Sequence, residues 1–160
     1  MGSRSKQTDL AYIAGFLDGD GSIMLQVKSR SDTSRSVRFM ATICLYQDTR
    51  HAQPILWMRE CFGIGYLSHR KDGITELKIN GFVSVHKVLT QLTPFVRFKQ
   101  VQVAALLQAC TLLSSKKISQ LSERELRDLV DSVFLIKKHN YKSHSTLSKE
   151  TLLLRLGLTP

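Results

Sequence analysis

The sequence is short of acids, of cysteine and of proline, and it holds no long apolar run. Each shortage excludes something. With 13 Asp and Glu against 23 Lys and Arg, the formal charge is +10, an excess that attracts a polyanion over long range and makes nucleic acid the first partner to consider. Charge alone fits a basic protein kept soluble by its surface equally well, so the positions of the charges must decide. Cys44, Cys61 and Cys110 are odd in number and widely spaced, with no C-x-x-C pair and no histidine at zinc-ligand distance. That pattern excludes a disulfide framework and a zinc site, and it points to reduced thiols in an intracellular compartment. No apolar stretch approaches a membrane span, and the polar start Met1-Gly2-Ser3-Arg4-Ser5-Lys6 lacks the apolar core of a signal peptide. Residues 1–5 read as disordered or cloning-derived, and residues 6–158 as one domain, for which 160 residues at 42% hydrophobic content suffice.

What is present is strongly periodic. After Thr8, a predicted N-cap, Leu10, Ile13, Ala14 and Leu17 recur at helical spacing until Gly19 and Gly21. Residues 22–30 then alternate, with Ile23, Leu25 and Val27 on one side and Met24, Gln26, Lys28 and Arg30 on the other. After a polar loop the alternation resumes, with Val37, Phe39, Ala41, Ile43 and Leu45 inward and Arg38, Met40, Thr42, Cys44 and Tyr46 outward. Residues 48–61 read as a helix stopped by Gly63 and Gly65. Residues 66–71 and 74–80 form a second hairpin around Asp72-Gly73, a turn suited to the strand twist. Four helical stretches follow, over about 82–92, 99–113, 123–138 and 149–156, with Pro94 between the first two and Ser122 capping the third. The order α-β-β-α-β-β-α-α-α-α, with four antiparallel strands in consecutive hairpins, is an α+β fold with helices on one face.

The first helix ends on two acids, Asp18 and Asp20, where the helix dipole already places negative charge. Carboxylates there call for a compensating cation, and a hard divalent ion suits oxygen ligands. Asp-Gly sequences also bond local amides in turns, and spacing does not decide between the two readings. On another face of the same helix Ala11, Gly15 and Gly19 lie four apart, with Ala14 and Asp18 beside them. Such a stripe packs inside a subunit or lets two copies of the helix approach closely. A two-fold axis at that stripe would bring two Asp20 side chains together, one for each strand of a duplex.

The run Tyr12-Ile13-Ala14-Gly15-Phe16-Leu17-Asp18-Gly19-Asp20-Gly21 resembles the LAGLIDADG motif. The element order resembles that family's α-β-β-α-β-β-α core over nearly the whole chain, most closely the single-motif, homodimeric homing endonucleases of organellar introns. The resemblance implies hydrolysis of both strands of a long pseudo-palindromic DNA target, with C-terminal helices added to a four-stranded DNA-binding sheet. It implies Mg²⁺, with Mn²⁺ or Ca²⁺ able to substitute for binding, held by Asp20 with Gly19 at a dimer interface formed by Ala11, Ala14, Gly15, Asp18 and Gly19. Asp18 would cap or position. A polar, basic shell would comprise Gln47 and Lys99, although Gln47 also fits a cap of the next helix and Lys99 a solvated lysine. Relatives place an arginine shortly after the glutamine; this sequence offers Arg50 followed by His51, and the register puts His51 at the matching place. The family implies residence in a chloroplast or mitochondrion. An intron RNA maturase and a non-cleaving DNA-binding protein are the alternatives on the same fold.

On this reading the outward sheet face reads DNA: Gln26, Lys28, Arg30, Arg38, Met40, Thr42 and Cys44 on the first hairpin, Tyr66, Ser68, Arg70, Glu76 and Lys78 on the second. A two-stranded ribbon fits the major groove, where such side chains reach base edges. A solvated sheet face gives the same alternation. Lys138, Asn140 and Lys142, in a late basic segment with Lys137 and His144, suit phosphates.

Overall fold

The computed structural model describes residues 6–29, 37–140 and 146–160. Helix α1 (Lys6–Asp20) leads through Gly21 into β1 (Ser22–Ser29), which pairs antiparallel with β2 (Val37–Asp48). A 3-10 turn (Thr49–His51) and α2 (Gln53–Phe62) precede β3 (Tyr66–His69) and β4 (Ile74–Asn80). The chain finishes in α3 (Phe82–Leu92), α4 (Gln100–Ser115), α5 (Glu123–His139) and α6 (Lys149–Arg155), with a second 3-10 turn at Ile118–Gln120. Both hairpins form as expected, but they join through β4 rather than β3, giving the strand order β1-β2-β4-β3.

The alternation read from sequence survives as register. Gln26 pairs with Met40 and Lys28 with Arg38, and across the sheet Cys44 pairs with Lys78 and Lys78 with Tyr66, so these residues of all four strands share one face. Ile23, Leu25, Phe39, Ala41, Ile43, Leu45, Leu77 and Ile79 turn the other way and are buried among the helices. Removing these apolar surfaces from water is the main force that fixes the register, because a one-residue slip would expose the whole set.

Two local expectations are corrected and a third is borne out. Thr8 does not cap α1; it lies inside a helix that begins at Lys6. The helix expected over residues 48–61 is broken, because the Asp48 side chain accepts a hydrogen bond from the Arg50 amide and caps a 3-10 turn, leaving α2 to start at Gln53 with Pro54 in its first turn. Ser122 does cap α5, in a reciprocal box with Glu125.

The passage from α1 to β1 is tight. Gly21 is buried, and a Cβ there would fall 2.6 Å from the Leu17 side chain and 2.9 Å from its carbonyl oxygen. Only glycine lets the chain leave the helix and enter the sheet at this point. That fixes where Asp20 stands relative to the strands.

Candidate active site

Asp18 and Asp20 have parted roles. The Asp18 side chain points inward, 7% exposed, and its carboxylate accepts hydrogen bonds from the amides of Arg97 (2.6 Å), Phe98 (3.2 Å) and Lys99 (3.0 Å). These amides lead into α4, so a side chain from α1 satisfies the three donors just ahead of that helix, and the positive end of the α4 dipole offsets the carboxylate charge. Asp18 is therefore a cap joining two distant segments. Asp20, one turn-edge further, is exposed.

Lys99 is brought to the same place. It is only 6% exposed, and its Nζ donates to the Asp18 carbonyl at the end of α1, where a cation is favoured. Burial pulls its pKa below the ordinary lysine value, while the charges of Asp18 and Asp20 work against that fall. The reading of Lys99 as a freely solvated lysine is thus overturned.

The other expected residues lie at the end of β2. Ser22, the first residue of β1, pairs with Cys44, and β2 runs on past it to Asp48 at the end of the sheet where α1 delivers Asp20. The Ser22 hydroxyl meets that of Tyr46 and ties this overhang to the start of β1. Gln47 is half-buried, and its Oε1 accepts from the Asp48 amide at 2.8 Å, which leaves the side-chain NH₂ as a donor without a partner among the described residues. It caps no helix. Arg50 donates through Nε and Nη2 to the Asp48 carboxylate at 3.0 and 2.8 Å, whereas His51 is exposed next to it. Among the described residues no hydrogen bond or ion pair joins Gln47, Arg50 or His51 to Asp20, and no group of three metal-ligating side chains occurs.

The small stripe of α1 divides. Ala11, Gly15 and Gly19 are exposed, and a Cβ built on Gly15 or Gly19 meets nothing within 4 Å. Ala14, grouped with them on sequence, is fully buried in the core, and Asp18 faces the same way. Neither can lie on an exposed helix contact. Large apolar side chains flank the stripe: Tyr12, 54% exposed, packs edge-on against Trp57 at 5.8 Å, and Phe98 is 83% exposed on the turn that Asp18 caps.

On the outward sheet face, Gln26, Lys28, Arg38, Met40, Tyr66, Ser68 and Arg70 are partly or fully exposed, with Lys78 among them. Thr42, Cys44 and Glu76 are 5%, 5% and 6% exposed. They form the floor between longer neighbours, which corrects their reading as free contacts; burial also pushes the Cys44 thiol up to about 11, so it is neutral. Glu76 pairs with Lys78 (2.7 Å) and with Arg70 (3.1 Å), and Arg70 also pairs with Asp72. Burial works to raise the Glu76 carboxyl, but hydrogen bonds from Lys78 and Arg70 outweigh it and hold it below the usual carboxylate range. Replacing Glu76 with Gln should free Lys78 and leave Arg70 paired with Asp72 alone. On the expectation that this face reads DNA, the salt slope of binding should steepen by about one and discrimination at the base pairs near Arg70 should fall by ~1 kcal/mol, read by binding to single-base target variants at two salt concentrations.

Sequence reasoning left Asn80 out of this face, although it follows Lys78 by two in β4; it is exposed and its Nδ2 donates to the Tyr66 hydroxyl at 3.2 Å. Asn140, expected at phosphates, instead donates through Nδ2 to the Ile23 carbonyl at 3.0 Å and covers the β1 edge. Lys137 is likewise engaged, donating to the Leu147 carbonyl, while Lys138 is exposed. Arg30, Lys142 and His144 lie outside the described residues.

A family model described as LAGLIDADG endonuclease matches residues 13–125. The DNA endonuclease I-CvuI of Chlorella vulgaris is 31% identical over 131 residues, 81% of this chain and 80% of that protein. The DNA endonuclease I-CreI of Chlamydomonas reinhardtii is 28% identical over 149 residues, 93% of this chain and 90% of that protein. Among solved structures, I-CvuI in complex with its target in the presence of Ca superposes with a TM-score of 0.81 at 24% identity, over 97% of this chain and 98% of that one. The archaeal intron-encoded homing endonuclease I-Vdi141I complexed with DNA gives 0.82 at 19% identity, over 96% and 97%. The structural likenesses establish the shared fold.

Proposed function

The chain belongs to the LAGLIDADG endonuclease family, and on that premise we propose that two copies bind a long, pseudo-palindromic DNA duplex and cut both of its strands. The observation that carries this reading is the end of α1, where exposed Asp20 stands beside buried Lys99 and an open stripe of Ala11, Gly15 and Gly19. The donor set suits a hard divalent cation, since Asp20 and the Gly19 carbonyl offer oxygen ligands. One carboxylate is too few for a closed site. A second copy packed along the stripe would supply the other. Relatives point the same way: I-CvuI has been crystallised on DNA with Mg, where the DNA was not cleaved, and with Ca.

The residues divide the work. Asp20 and Gly19 would hold the cation, which when bound would supply Lewis-acid stabilisation of the scissile phosphate and lower the pKa of an attacking water. Lys99 sets positive charge next to that phosphate from a position too buried to be screened by salt. Gln47 offers its side-chain NH₂ to orient water or phosphate oxygen, with Arg50 and His51 as further donors at the same end of the sheet. No residue acts as a covalent nucleophile. Gln26, Lys28, Arg38, Met40, Tyr66, Ser68, Arg70 and Lys78 read base edges, with Asn80 added to them, and Lys138 contacts the backbone. A single chain of residues 6–158 makes one such half, and an organellar intron is the proposed genetic home.

The test is selection of cut sites from a randomised duplex library with Mg²⁺ present. Recovery of one long, two-fold related sequence is the expected result. Binding without cutting, or tighter binding to structured intron RNA in competition, would overturn it.

A further inference from the structure

We propose that Thr75 is a positioning residue for cleavage: its hydroxyl holds the segment of residues 47–51 against the DNA-reading hairpin. The proposal rests on the function just argued and adds a residue to it.

Thr75 is 0% exposed, on the inner side of β4 where its neighbours at alternate positions, Leu77 and Ile79, are apolar. A hydroxyl in such a place must be bonded. It meets the Thr49 hydroxyl at 3.0 Å and the His69 Nδ1 at 2.9 Å. One proton and two lone pairs let it donate in one contact and accept in the other. Thr49 opens the 3-10 turn that carries Arg50 and His51, and its amide also donates to the Gly73 carbonyl at 2.8 Å. Gln47, two residues earlier, lies directly opposite Thr75 in the β2–β4 register. His69 closes β3, between Ser68 and Arg70 of the outward face. One buried hydroxyl therefore links the turn that offers catalytic donors to the hairpin that meets the bases.

A threonine that merely fills the core would predict something different. Its loss would lower stability and move binding and cleavage together, or move neither. A positioning residue separates them, because the sheet face that binds DNA is on the other side of β4 while the linked turn is at the active-site end. Displacing catalytic groups by a fraction of an ångström costs rate and spares affinity.

The experiment compares Thr75→Val, nearly isosteric, with Thr75→Ser, which keeps the hydroxyl. We expect Val to slow single-turnover cleavage of the selected target by about tenfold in Mg²⁺ while its Kd in Ca²⁺ stays within about twofold, and Ser to restore most of the rate. Thr49→Ala, at an exposed position, breaks the same link without touching the core and should give the same split even where the Val protein is poorly folded. Wild-type rates for both Thr49→Ala and Thr75→Val would overturn the proposal, as would parallel loss of binding and rate. Gln47→Ala tests the underlying reading separately: if it cleaves normally, the assignment of residues 47–51 to the site fails, whatever Thr75 does.

Discussion

Asp20→Asn is expected to abolish cleavage, by on the order of a thousandfold or more, and to leave specific DNA binding and the fold intact. The substitution keeps the shape of the side chain and removes its charge, the property that a divalent cation needs from a ligand. Within the described residues that charge acts only on the nearby Lys99 ammonium: Asp20 is exposed, and it sits at the negative end of the α1 dipole, where a carboxylate is unfavourable by ~0.3–1 kcal/mol. The melting temperature should hold or rise slightly. Asp18→Asn is the internal contrast, because its carboxylate accepts three amides at the start of α4 and losing that charge should cost ~1–3 kcal/mol of stability. Plasmid cleavage in Mg²⁺, gel shift in Ca²⁺ and thermal melts separate the two acids. Normal turnover by Asp20→Asn in Mg²⁺ would sink the assignment of the site.

The two acids also show where sequence reasoning reached its limit. Spacing left open whether either carboxylate bound metal or bonded amides, and the structure gives the amide role to Asp18 with partners at Arg97, Phe98 and Lys99. No local pattern marks a cap supplied from so far along the chain. The sheet was legible for the opposite reason: a period of two is a local signal, and it placed Gln26, Lys28, Arg38 and Lys78 on one face in the register later found. Asn80 followed from the same rule and was passed over. Asn140 could not have been read correctly, since its tie to the Ile23 carbonyl depends on which strand forms the sheet edge. The short polar residues Thr42, Cys44 and Glu76 were placed on the right face, but their burial depends on the length of neighbours across strands. Thr75 carried no signal, because a lone threonine among strand residues looks like ordinary β propensity.

On the proposed two-fold assembly, Gly15→Leu should give a well-folded monomer. Glycine inside a helix is unfavourable by ~0.5–1 kcal/mol relative to alanine, so a glycine there needs a packing reason. Gly21 has one within the subunit, its missing Cβ making room for Leu17, but Gly15 and Gly19 have none: a Cβ at either site reaches open space. With Ala11 they leave a groove along exposed α1 that suits close approach of a second backbone, flanked by Tyr12 and Phe98, whose exposure as large apolar side chains also calls for a cover. In the isolated subunit a leucine at position 15 has room and better helix propensity, so the denaturation midpoint of the monomer should not fall. Across a two-fold axis the same leucine meets its copy and overpacks the contact, at a cost of ~1–3 kcal/mol or more. Cleavage should be lost with the dimer, because each subunit brings a single Asp20. Light scattering at micromolar concentration, with and without target DNA, reads the assembly directly. A wild-type chain that stays monomeric on its target, or a Gly15→Leu chain that stays dimeric and cuts at the normal rate, would show that α1 does not form the two-fold contact.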